Sequence, residues 1–329
     1  MNQKIHIIRL LIIAGLLMGL SQTASAGLEL SQKSETFVFV PGTLQDLRTI
    51  SFAGHDWIVK ECDFQVGPGP NFFSGSEDDV WVDDNGLHLT ISKQNDKWYC
   101  TEVFLDTALG YGNYVFQTNK RVDIIDPMMV LGLFTWDIEA VEQHNREMTI
   151  EFARWGNPDE NTNAQNVVQP CSECPGCGDN CTRFRVDLTD NNSDLTHYMI
   201  WRSGIVEFST YHGKYIDSVP PASALVHRWT YAGENVPEPG NEIIHFNFWL
   251  YGGNAPLSGL GDEVVITDFT WKEPDWKDKW IGPDSDGGTS VTTTELQDTI
   301  HHWLEDISID GNMVSTADLQ EIITIWLVG

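Results

Sequence analysis

Basic residues are scarce in this chain of 329 residues, which has 19 lysines and arginines against 48 aspartates and glutamates, and a net charge of -29. A surface of that sign repels phosphate backbones, so the composition argues against nucleic acid as a partner. The chain also has no convincing phosphate-binding loop, no nucleophile elbow and no catalytic cysteine–histidine pair. The remaining candidates for chemistry are the numerous acidic side chains.

Long hydrophobic runs are also missing, with one exception at the N-terminus. Lys4 and Arg9 precede an uncharged apolar run over residues 10–20, and the small residues 24–26 follow it. This order is typical of a secretory signal peptide, and we predict cleavage after Ala26. The run is shorter than the ~20 residues that a membrane span needs, and no later stretch is long enough. We therefore expect no membrane span and a secreted or extracellular protein. A periplasmic or cell-surface location is also compatible with this signal. The alternative is that the N-terminal segment is retained as an anchor.

Cysteine is infrequent, and the chain has six. Six cysteines in an exported protein favour disulfides, and Cys62 and Cys100 are predicted to pair. The other four are clustered, and their spacing also occurs in iron–sulfur proteins: Cys171, Cys174, Cys177 and Cys181. The predicted signal lacks the twin arginine for export of a folded cluster protein. We expect a disulfide-stapled loop with three pairings open, and a cluster or zinc site is the alternative.

From about residue 35 to 273, short alternating segments are separated by glycine, proline and asparagine. This pattern predicts an antiparallel β-sandwich, and 13 tryptophans can help to fill its core. Asn85 and Gly86 predict a tight hairpin turn, and we expect a similar turn at His212 and Gly213. The predicted organisation is a signal peptide over residues 1–26, the β-sandwich over 27–276, a linker over 277–283 and a small two-helix module over 284–329.

Residues 147–151 carry two glutamates four positions apart. In an extended chain Glu147, Thr149 and Glu151 share one face, while the apolar residues at 148, 150 and 152 occupy the other. One strand can thus anchor in a core and present two carboxylates to a cleft. Paired carboxylates are the groups that hydrolyse glycosides, with separations of about 5–5.5 Å for retention. Because four strand residues span ~13 Å, we predict that the sheet is concave here.

Residues 244–251 alternate in the same way. One face has the apolar side chains at 244, 246, 248 and 250, and the other has His245, Asn247, Trp249 and Tyr251. The second face is typical of a sugar-binding platform, because aromatic rings stack on pyranoses and polar groups bind hydroxyls. Trp136 and Trp155 are further candidates for substrate subsites. The alternative is that these tryptophans pack in the core or under a loop.

The C-terminal region repeats after 23 residues. Each copy has apolar residues at i, i+4, i+7 and i+8 and begins with a capping-box pattern, Thr292 with Glu295 and Ser315 with Asp318. We predict two short helices that pack through their tryptophans and leucines.

Acidic loops precede both predicted helices and resemble degenerate calcium loops. The candidate ligands, three for each copy, are Asp284, Asp286 and Glu295, then Asp306, Asp310 and Asp318. We expect structural calcium here and no cofactor for catalysis; a solvated acidic hairpin is the alternative. The tail over 284–329 resembles a dockerin, which implies a cohesin-like protein partner.

The glutamate pair lies within a longer stretch that resembles the catalytic region of glycoside hydrolase family 16. The likeness rests on residues 132–136, 146–152 and 154–156, and it extends to 67–71, 109–112, Asn247 and 249–250. It covers roughly residues 50–273. The family has a concave jelly roll and hydrolyses internal β-linkages of glucans and galactans with retention. By position, the resemblance implies that Glu147 is the nucleophile and Glu151 the acid/base, with Asn71 and Asn247 among the substrate-binding residues.

Thr149 departs from that resemblance, because the family usually has an aspartate between its two glutamates. A threonine hydroxyl can donate a hydrogen bond to the nucleophile but adds no charge. We expect a secreted glycosidase, a retaining endo-β-glycanase on a β-glucan or galactan. The alternative is a non-catalytic carbohydrate-binding protein that kept the cleft and lost turnover at this position.

Overall fold

The computed structural model describes residues 47–171, 179–189, 193–274, 277, 280, 291–309 and 312–328. The predicted signal peptide lies outside these residues, as do Cys174, Cys177, Asp284, Asp286 and Asp310 and most of the predicted linker. The chain divides into two compact units, residues 1–110 with 114–271, and residues 111–113 with 272–329. Among the described residues, no helix combines the length and the apolar character that crossing a bilayer requires.

The first unit has one sheet of eight neighbouring strands, called the first sheet. In order across the sheet they are β1 (Thr49–Phe52), β2 (His55–Val59), β7 (Lys97–Leu105), β16 (Ile243–Leu250), β9 (Met129–Trp136), β10 (Met148–Ala153), β11 (Ala164–Val168) and β12 (Cys181–Phe184). All seven neighbouring pairs are antiparallel. Two short strands lie beside β7: β4 (Asn71–Phe73) pairs with β7 in parallel, and β3 (Cys62–Val66) pairs with the other side of β4.

A second sheet of seven strands packs against the first. Its order is β5 (Val80–Asp83), β6 (Gly86–Gln94), β17 (Asp262–Lys272), β8 (Gly112–Asn119), β13 (Asp194–Arg202), β14 (Ile205–His212) and β15 (Leu225–Ala232). Aromatic side chains join the two layers: the Trp57 ring lies 5.5 Å from Phe269, and Phe116 lies 5.9 Å from Phe246. The predicted antiparallel β-sandwich is confirmed.

The alternation predicted for the key strands is also confirmed. Met148, Ile150 and Phe152 on β10 are at most 1 % exposed, and the apolar side chains at 244, 246, 248 and 250 on β16 are equally buried. Burial of about 150–250 Å² by each aromatic ring makes this alternation energetically decisive. The opposite face of the first sheet is therefore free to carry polar groups, and we call it the site face.

The predicted hairpin at Asn85 is confirmed, with a shift of one residue. Asp83 pairs with Gly86, so the two-residue loop is 84–85 and Gly86 begins β6 with a φ of +137°. The predicted turn at His212 and Gly213 is wrong. β14 ends at His212, and its tight connection to β13 lies at the other end, where Gly204 has a φ of +72°. A glycine with positive φ therefore marked a strand end in one case and a hairpin in the other.

The predicted pairing of Cys62 with Cys100 is also wrong. Cys62 pairs with Phe73 of β4, and Phe73 pairs on its other side with Cys100. Two strand spacings separate the cysteines by about 9.5 Å. A disulfide requires Cα atoms within about 7 Å, so β4 keeps the two thiols apart.

The second unit has two helices, α1 (Thr293–Leu304) and α2 (Thr316–Val328). Both predicted capping boxes are present. The Thr292 hydroxyl accepts from the Glu295 N–H while Glu295 accepts from the Thr292 N–H, and Ser315 and Asp318 exchange the same two bonds. These bonds satisfy backbone donors that the first helical turn leaves free.

The packing predicted for these helices is only partly correct. Leu296 and Leu319 are buried in a small core that Trp280 completes from outside the helices. The last-turn residues lie outside that core and are between 36 % and 70 % exposed: Trp303, Leu304, Trp326 and Leu327. Trp280, Val291 and Val314, which lie outside the helices, take part in this core, and Trp303 and Trp326 do not.

Each predicted calcium loop is only partly described, because Asp284 and Asp286 of the first copy and Asp310 of the second lie outside the described residues. Glu295 and Asp318 are engaged in capping boxes on different helices, and Asp306 is exposed. Within the described residues, no three His, Cys, Asp or Glu side chains gather as a metal site. Calcium therefore stays a prediction for both copies of the repeat.

Candidate active site

Both glutamates lie on the site face, Glu151 within β10 and Glu147 immediately before it. β10 is an inner strand, paired with β9 on one side and β11 on the other, and Glu151 is opposite Gly132 and Gln165. Glu147 has an extended backbone immediately before the strand. The Thr149 hydroxyl, between the two glutamates, donates to Glu147 Oε1 at 2.9 Å. The structure thus brings together the three side chains that the alternation placed on one face.

A strained turn leads into Glu147. His144, Asn145 and Arg146 all have positive φ angles, of 52°, 57° and 50°. Such conformations cost of order 1–3 kcal/mol each and persist only where surrounding contacts fix them. Here the Arg146 guanidinium binds Asp137 Oδ2 at 2.6 Å, and the Arg146 carbonyl accepts from the Thr135 hydroxyl at 2.8 Å. The backbone on the N-terminal side of Glu147 is therefore firmly held.

Thr135 also fixes the backbone on the other side of Glu147. Its hydroxyl oxygen accepts from the Met148 N–H at 3.0 Å, while its proton goes to the Arg146 carbonyl. One buried threonine on β9 thus connects to both neighbours of Glu147. This arrangement orients the Glu147 side chain relative to β9 and β10.

Glu151 is held by a side-chain network from β11 and β12. Gln165 Nε2 donates to Glu151 Oε2 at 2.6 Å. The amide oxygen of Gln165 in turn accepts from Arg183 at 3.0 Å and from the Trp155 indole at 3.2 Å. Because its oxygen has two donors, the Gln165 amide is locked with its nitrogen toward Glu151.

The two carboxyl groups differ in acidity. Burial raises the pKa of Glu147 to about 7, against hydrogen bonds from Thr149 and Gln169 that lower it. Burial and then the charge of Glu147 raise the pKa of Glu151 to about 8, although Gln165 stabilises its carboxylate. Near neutral pH, Glu147 loses its proton before Glu151. One ionised and one protonated carboxyl group is the pair that retaining glycosidases use.

A row of polar residues extends from Glu151 across the site face. In register, Glu151 is opposite Gly132, Gly132 is opposite Asn247, and Asn247 is opposite Glu102. Lys60 continues the row, since its N–H donates to the Glu102 carbonyl. Five strands at about 4.8 Å spacing give the row a length of about 19 Å. Its inner members are buried, with Asn247 2 %, Glu102 1 % and Lys60 6 % exposed.

A second row of side chains on these strands is aromatic and lies on the site face. His245 stacks between Phe104 and Phe134, with ring centroids 5.2 Å and 5.0 Å apart. Its Nδ1 lies 2.9 Å from Glu102 Oε1, and Lys60 Nζ lies 2.8 Å from Glu102 Oε2. Burial lowers the pKa of His245, so the neutral ring donates from Nδ1 to the carboxylate. The ion pair of Lys60 with Glu102 thereby fixes the orientation of an imidazole in the floor.

Three aromatic candidates, Trp155, Trp249 and Tyr251, gather at one end of the site face. The Trp155 ring lies 5.5 Å from Tyr251 and 6.2 Å from Trp249. Trp136 lies apart from them and is partly exposed, since it ends β9 opposite Ile243 whereas Trp249 is opposite Val130 near the start of that strand. Asn71 is placed differently: its amide nitrogen donates to the Pro68 and Leu250 carbonyls at 2.7 Å and 2.8 Å. Its described contacts hold loops together, and a sugar contact by Asn71 stays a prediction.

Several residues of this site were not predicted from the sequence. The roles of Gln165, Arg183, Glu102, Lys60 and Thr135 depend on which strands are neighbours, and a single strand pattern does not reveal neighbours. His245 was placed on the correct face by the alternation of β16, but its partner Glu102 is 143 positions away. The polar positions on β7 and β11 would have been the only signal.

Gly132 makes room for the row between Glu151 and Asn247. A Cβ at this position would lie 2.5 Å from Asn247 Oδ1. We expect Gly132→Ala to displace the Asn247 amide and to lower the free energy of unfolding by about 1–3 kcal/mol, the usual cost of overpacking. Thermal denaturation measures this effect. The double variant Gly132→Ala/Asn247→Ala removes the clash. If the clash is the cause, the double variant should be more stable to heat than the single variant. Equal stability of the two variants would contradict this explanation.

Comparison with known proteins gives similarity at the level of architecture. No family model matches the chain, and no curated protein matches it. A Bacillus licheniformis β-glucanase structure is 16 % identical with a TM-score of 0.46, over 73 % of this chain and 97 % of that one. The laminarinase from Flavobacterium sp. UMI-01 is 11 % identical with a TM-score of 0.48, over 66 % and 93 %.

A third similar structure is that of Rv0315, an immunostimulatory antigen and pseudo β-1,3-glucanase of Mycobacterium tuberculosis. It is 15 % identical with a TM-score of 0.44, over 64 % of this chain and 88 % of that one.

Proposed function

We propose that this protein is a secreted retaining endo-β-glycanase, a glycosidase that cleaves internal linkages of a β-glucan or galactan. The observation that carries the proposal is the pair of coupled carboxyl groups: Glu147, hydrogen-bonded by Thr149, ionises before Glu151, whose proton the charge of Glu147 retains. The two residues would then act in sequence on one sugar ring, and no cofactor is needed.

In the first step, the Glu147 carboxylate attacks the anomeric carbon while the Glu151 carboxylic acid protonates the leaving glycosidic oxygen. The bond between anomeric carbon and oxygen breaks, and a glycosyl ester of Glu147 forms. In the second step, the Glu151 carboxylate takes a proton from water, which attacks the anomeric carbon and releases Glu147. Gln165 suits both steps, because it donates to Glu151 whenever the carboxyl group is ionised.

The buried row from Glu151 to Lys60, with the partly exposed rings of Phe104 and Phe134 beside it, would form the floor beneath a long polymeric substrate. Its length of about 19 Å exceeds one sugar unit severalfold, and the stacked rings of Phe104, His245 and Phe134 offer an apolar floor. Trp155, Trp249 and Trp136 would supply stacking surfaces nearer the carboxylates. These features favour internal cleavage of a chain over removal of single terminal sugars.

A narrow pH optimum follows from the acidities of the pair. Activity requires Glu147 without its proton and Glu151 with it, so kcat/KM should rise as pH increases through about 7 and fall as pH increases through about 8. The optimum should lie between these limbs. A pH–rate profile on a soluble β-glucan measures both, and a flat or single-limbed profile would contradict the assignment.

The direct test is hydrolysis of a panel of polysaccharides. Purified protein is incubated with laminarin, lichenan, agarose, carrageenan and porphyran, and reducing ends are measured. We expect release from at least one substrate by the natural protein and none by Glu147→Gln/Glu151→Gln. Hydrolysis that persists in the double variant would refute the proposal.

The second candidate function is carbohydrate binding without turnover, and Thr149 is the observation that favours it. Thr149 is 2 % exposed and gives Glu147 one hydrogen bond without charge. Binding in the panel without reducing ends would support this function. The variant Thr149→Asp separates the two further, because appearance of hydrolysis would show that the other residues of the site are competent.

The termini carry separate proposals. We propose export with cleavage after Ala26, which N-terminal sequencing of the secreted protein tests.

We also propose that the C-terminal unit binds a cohesin-like protein, and exposed Trp303 and Trp326, one in each copy of the repeat, support it. Calcium is proposed as a structural ion of this unit. Loss of partner binding in Trp303→Ala/Trp326→Ala, with α-helical signal unchanged, is the expected result.

A further inference from the structure

Two cysteines lie beside the candidate catalytic pair. Cys181 in β12 is opposite Val167, and Val167 is opposite Thr149, so the Cys181 side chain is on the site face. Cys171 follows two residues after Gln169, which hydrogen-bonds Glu147. Both sulfur atoms are therefore at the β11–β12 side of the two glutamates.

The two thiols are in contact with each other. A hydrogen bond to Cys171 and burial raise the pKa of Cys181, so Cys181 keeps its proton and donates it to the Cys171 sulfur. Sulfur atoms within hydrogen-bond reach can close into a disulfide with little movement of the chain. Cys62 and Cys100, on opposite sides of β4, lack this relation.

We propose that Cys171 and Cys181 form a disulfide that closes the chain at the edge of the site and restrains the acid/base Glu151. The four clustered cysteines allow three disulfide patterns, and this bond selects the pattern in which Cys174 can pair only with Cys177. The oxidant is a thiol–disulfide reagent such as oxidised glutathione. The Cys171 sulfur attacks it and expels one glutathione, and the Cys181 sulfur then displaces the second. One protein disulfide and two reduced glutathiones result, and the two protein thiol protons end on glutathione.

The position of this bond connects it to Glu151. β12 also carries Arg183, which holds the Gln165 amide at 3.0 Å, and Gln165 holds Glu151 at 2.6 Å. A disulfide from Cys171 to Cys181 would tie β12 to the chain that follows β11, and so restrain that network. Oxidation also removes an ionisable sulfur whose charge helps to raise the pKa of Glu151. This functional consequence rests on the proposed glycosidase activity, whereas the bond itself does not.

Peptide mapping tests the bond directly. A protease that cleaves after acidic residues cuts at Glu173 and Asp179, which separates Cys171 and Cys181 from each other and from the other two cysteines. The full protein is equilibrated with oxidised glutathione, alkylated, digested without reduction and analysed by mass spectrometry. We expect a cross-link between Cys171 and Cys181 in the natural protein and in Cys174→Ser/Cys177→Ser, with Cys62 and Cys100 alkylated.

Other results would overturn the proposal. These are a cross-link of Cys171 to Cys174 or Cys177 in the natural protein, no cross-link in the double variant, or stoichiometric zinc with all four clustered cysteines reduced. Such outcomes are independent of hydrolysis, so failure of the glycosidase proposal would leave the mapping result intact.

A second measurement tests the effect on Glu151. We expect the alkaline limb of the pH–rate profile to lie at lower pH in the oxidised protein than in the reduced one. The difference should vanish in Cys171→Ser/Cys181→Ser, which has no thiol pair to oxidise. A difference that persists in this variant would overturn the link between the bond and Glu151.

Discussion

Glu151→Gln is expected to reduce kcat/KM on a β-glucan by about 10²–10⁴-fold, the usual contribution of a positioned general acid. An aryl glycoside with a good leaving group needs no proton, so its glycosylation step should be largely spared in this variant. Glu147→Gln should lose activity on both substrates, because no nucleophile remains. Steady-state and burst kinetics on the two substrates measure this difference.

The matched control is Glu142→Gln, an exposed glutamate five residues before Glu147. It should leave both activities unchanged. If Glu151→Gln were equally harmful on both substrates, or Glu147→Gln were active on the aryl glycoside, the two roles would have to be reassigned.

The substitution Glu151→Gln should also stabilise the fold. Because the pKa of Glu151 is about 8 in the folded protein and near 4.5 when unfolded, the folded state binds more protons between these values. The free energy of unfolding therefore falls as pH rises through this window. Glutamine has no such penalty, so Glu151→Gln should melt at a higher temperature than the natural protein at pH 8, with the gain disappearing near pH 4.

Thr149→Val is expected to reduce kcat/KM by about 10- to 100-fold, since a hydrogen bond to a charged group contributes about 1.5–3 kcal/mol. Valine keeps the shape of threonine but cannot donate to Glu147 Oε1. That hydrogen bond lowers the pKa of Glu147, so its loss should also move the acid limb of the pH–rate profile to higher pH. Kinetics across a pH series measure both effects.

Thr149→Ser is the conservative control, because serine retains the hydroxyl. It should keep the acid limb in place and most of the activity. A loss in Thr149→Val with no shift of the acid limb would indicate a packing defect at this buried position, and would contradict a direct role of the hydroxyl in holding Glu147 ionised.

The parts of the site that could be predicted from the sequence are those carried by one strand. A period of two determines the face of every residue on β10 and β16, so Glu147, Thr149, Glu151 and Asn247 could be placed without knowing their neighbours. The apolar residues at the alternate positions of β10 and β16 predicted the same assignment of faces. Local period is robust because burial of the apolar face drives it.

Partners from other strands could not be predicted, because register joins positions far apart in sequence. Gln165 meets Glu151 only because β11 pairs with β10 in one register, and a shift by one residue would turn it into the core. The same reason explains the error over Cys62 and Cys100, which were judged by their flanking strands without knowledge that β4 lies between them. Exposed Trp303 and Trp326 show a related limit, since Trp280 supplies the missing core from outside the repeat.

The central claim is that Glu147 attacks the sugar directly, with Glu151 as its acid and base. The stereochemistry of hydrolysis tests it most directly, and time-resolved proton NMR of the anomeric signals measures it during the first turnovers on a β-glucan. Two successive displacements predict that the β-anomer of the new reducing end appears first and mutarotates later. Initial appearance of the α-anomer would show a single displacement by water and would contradict the account.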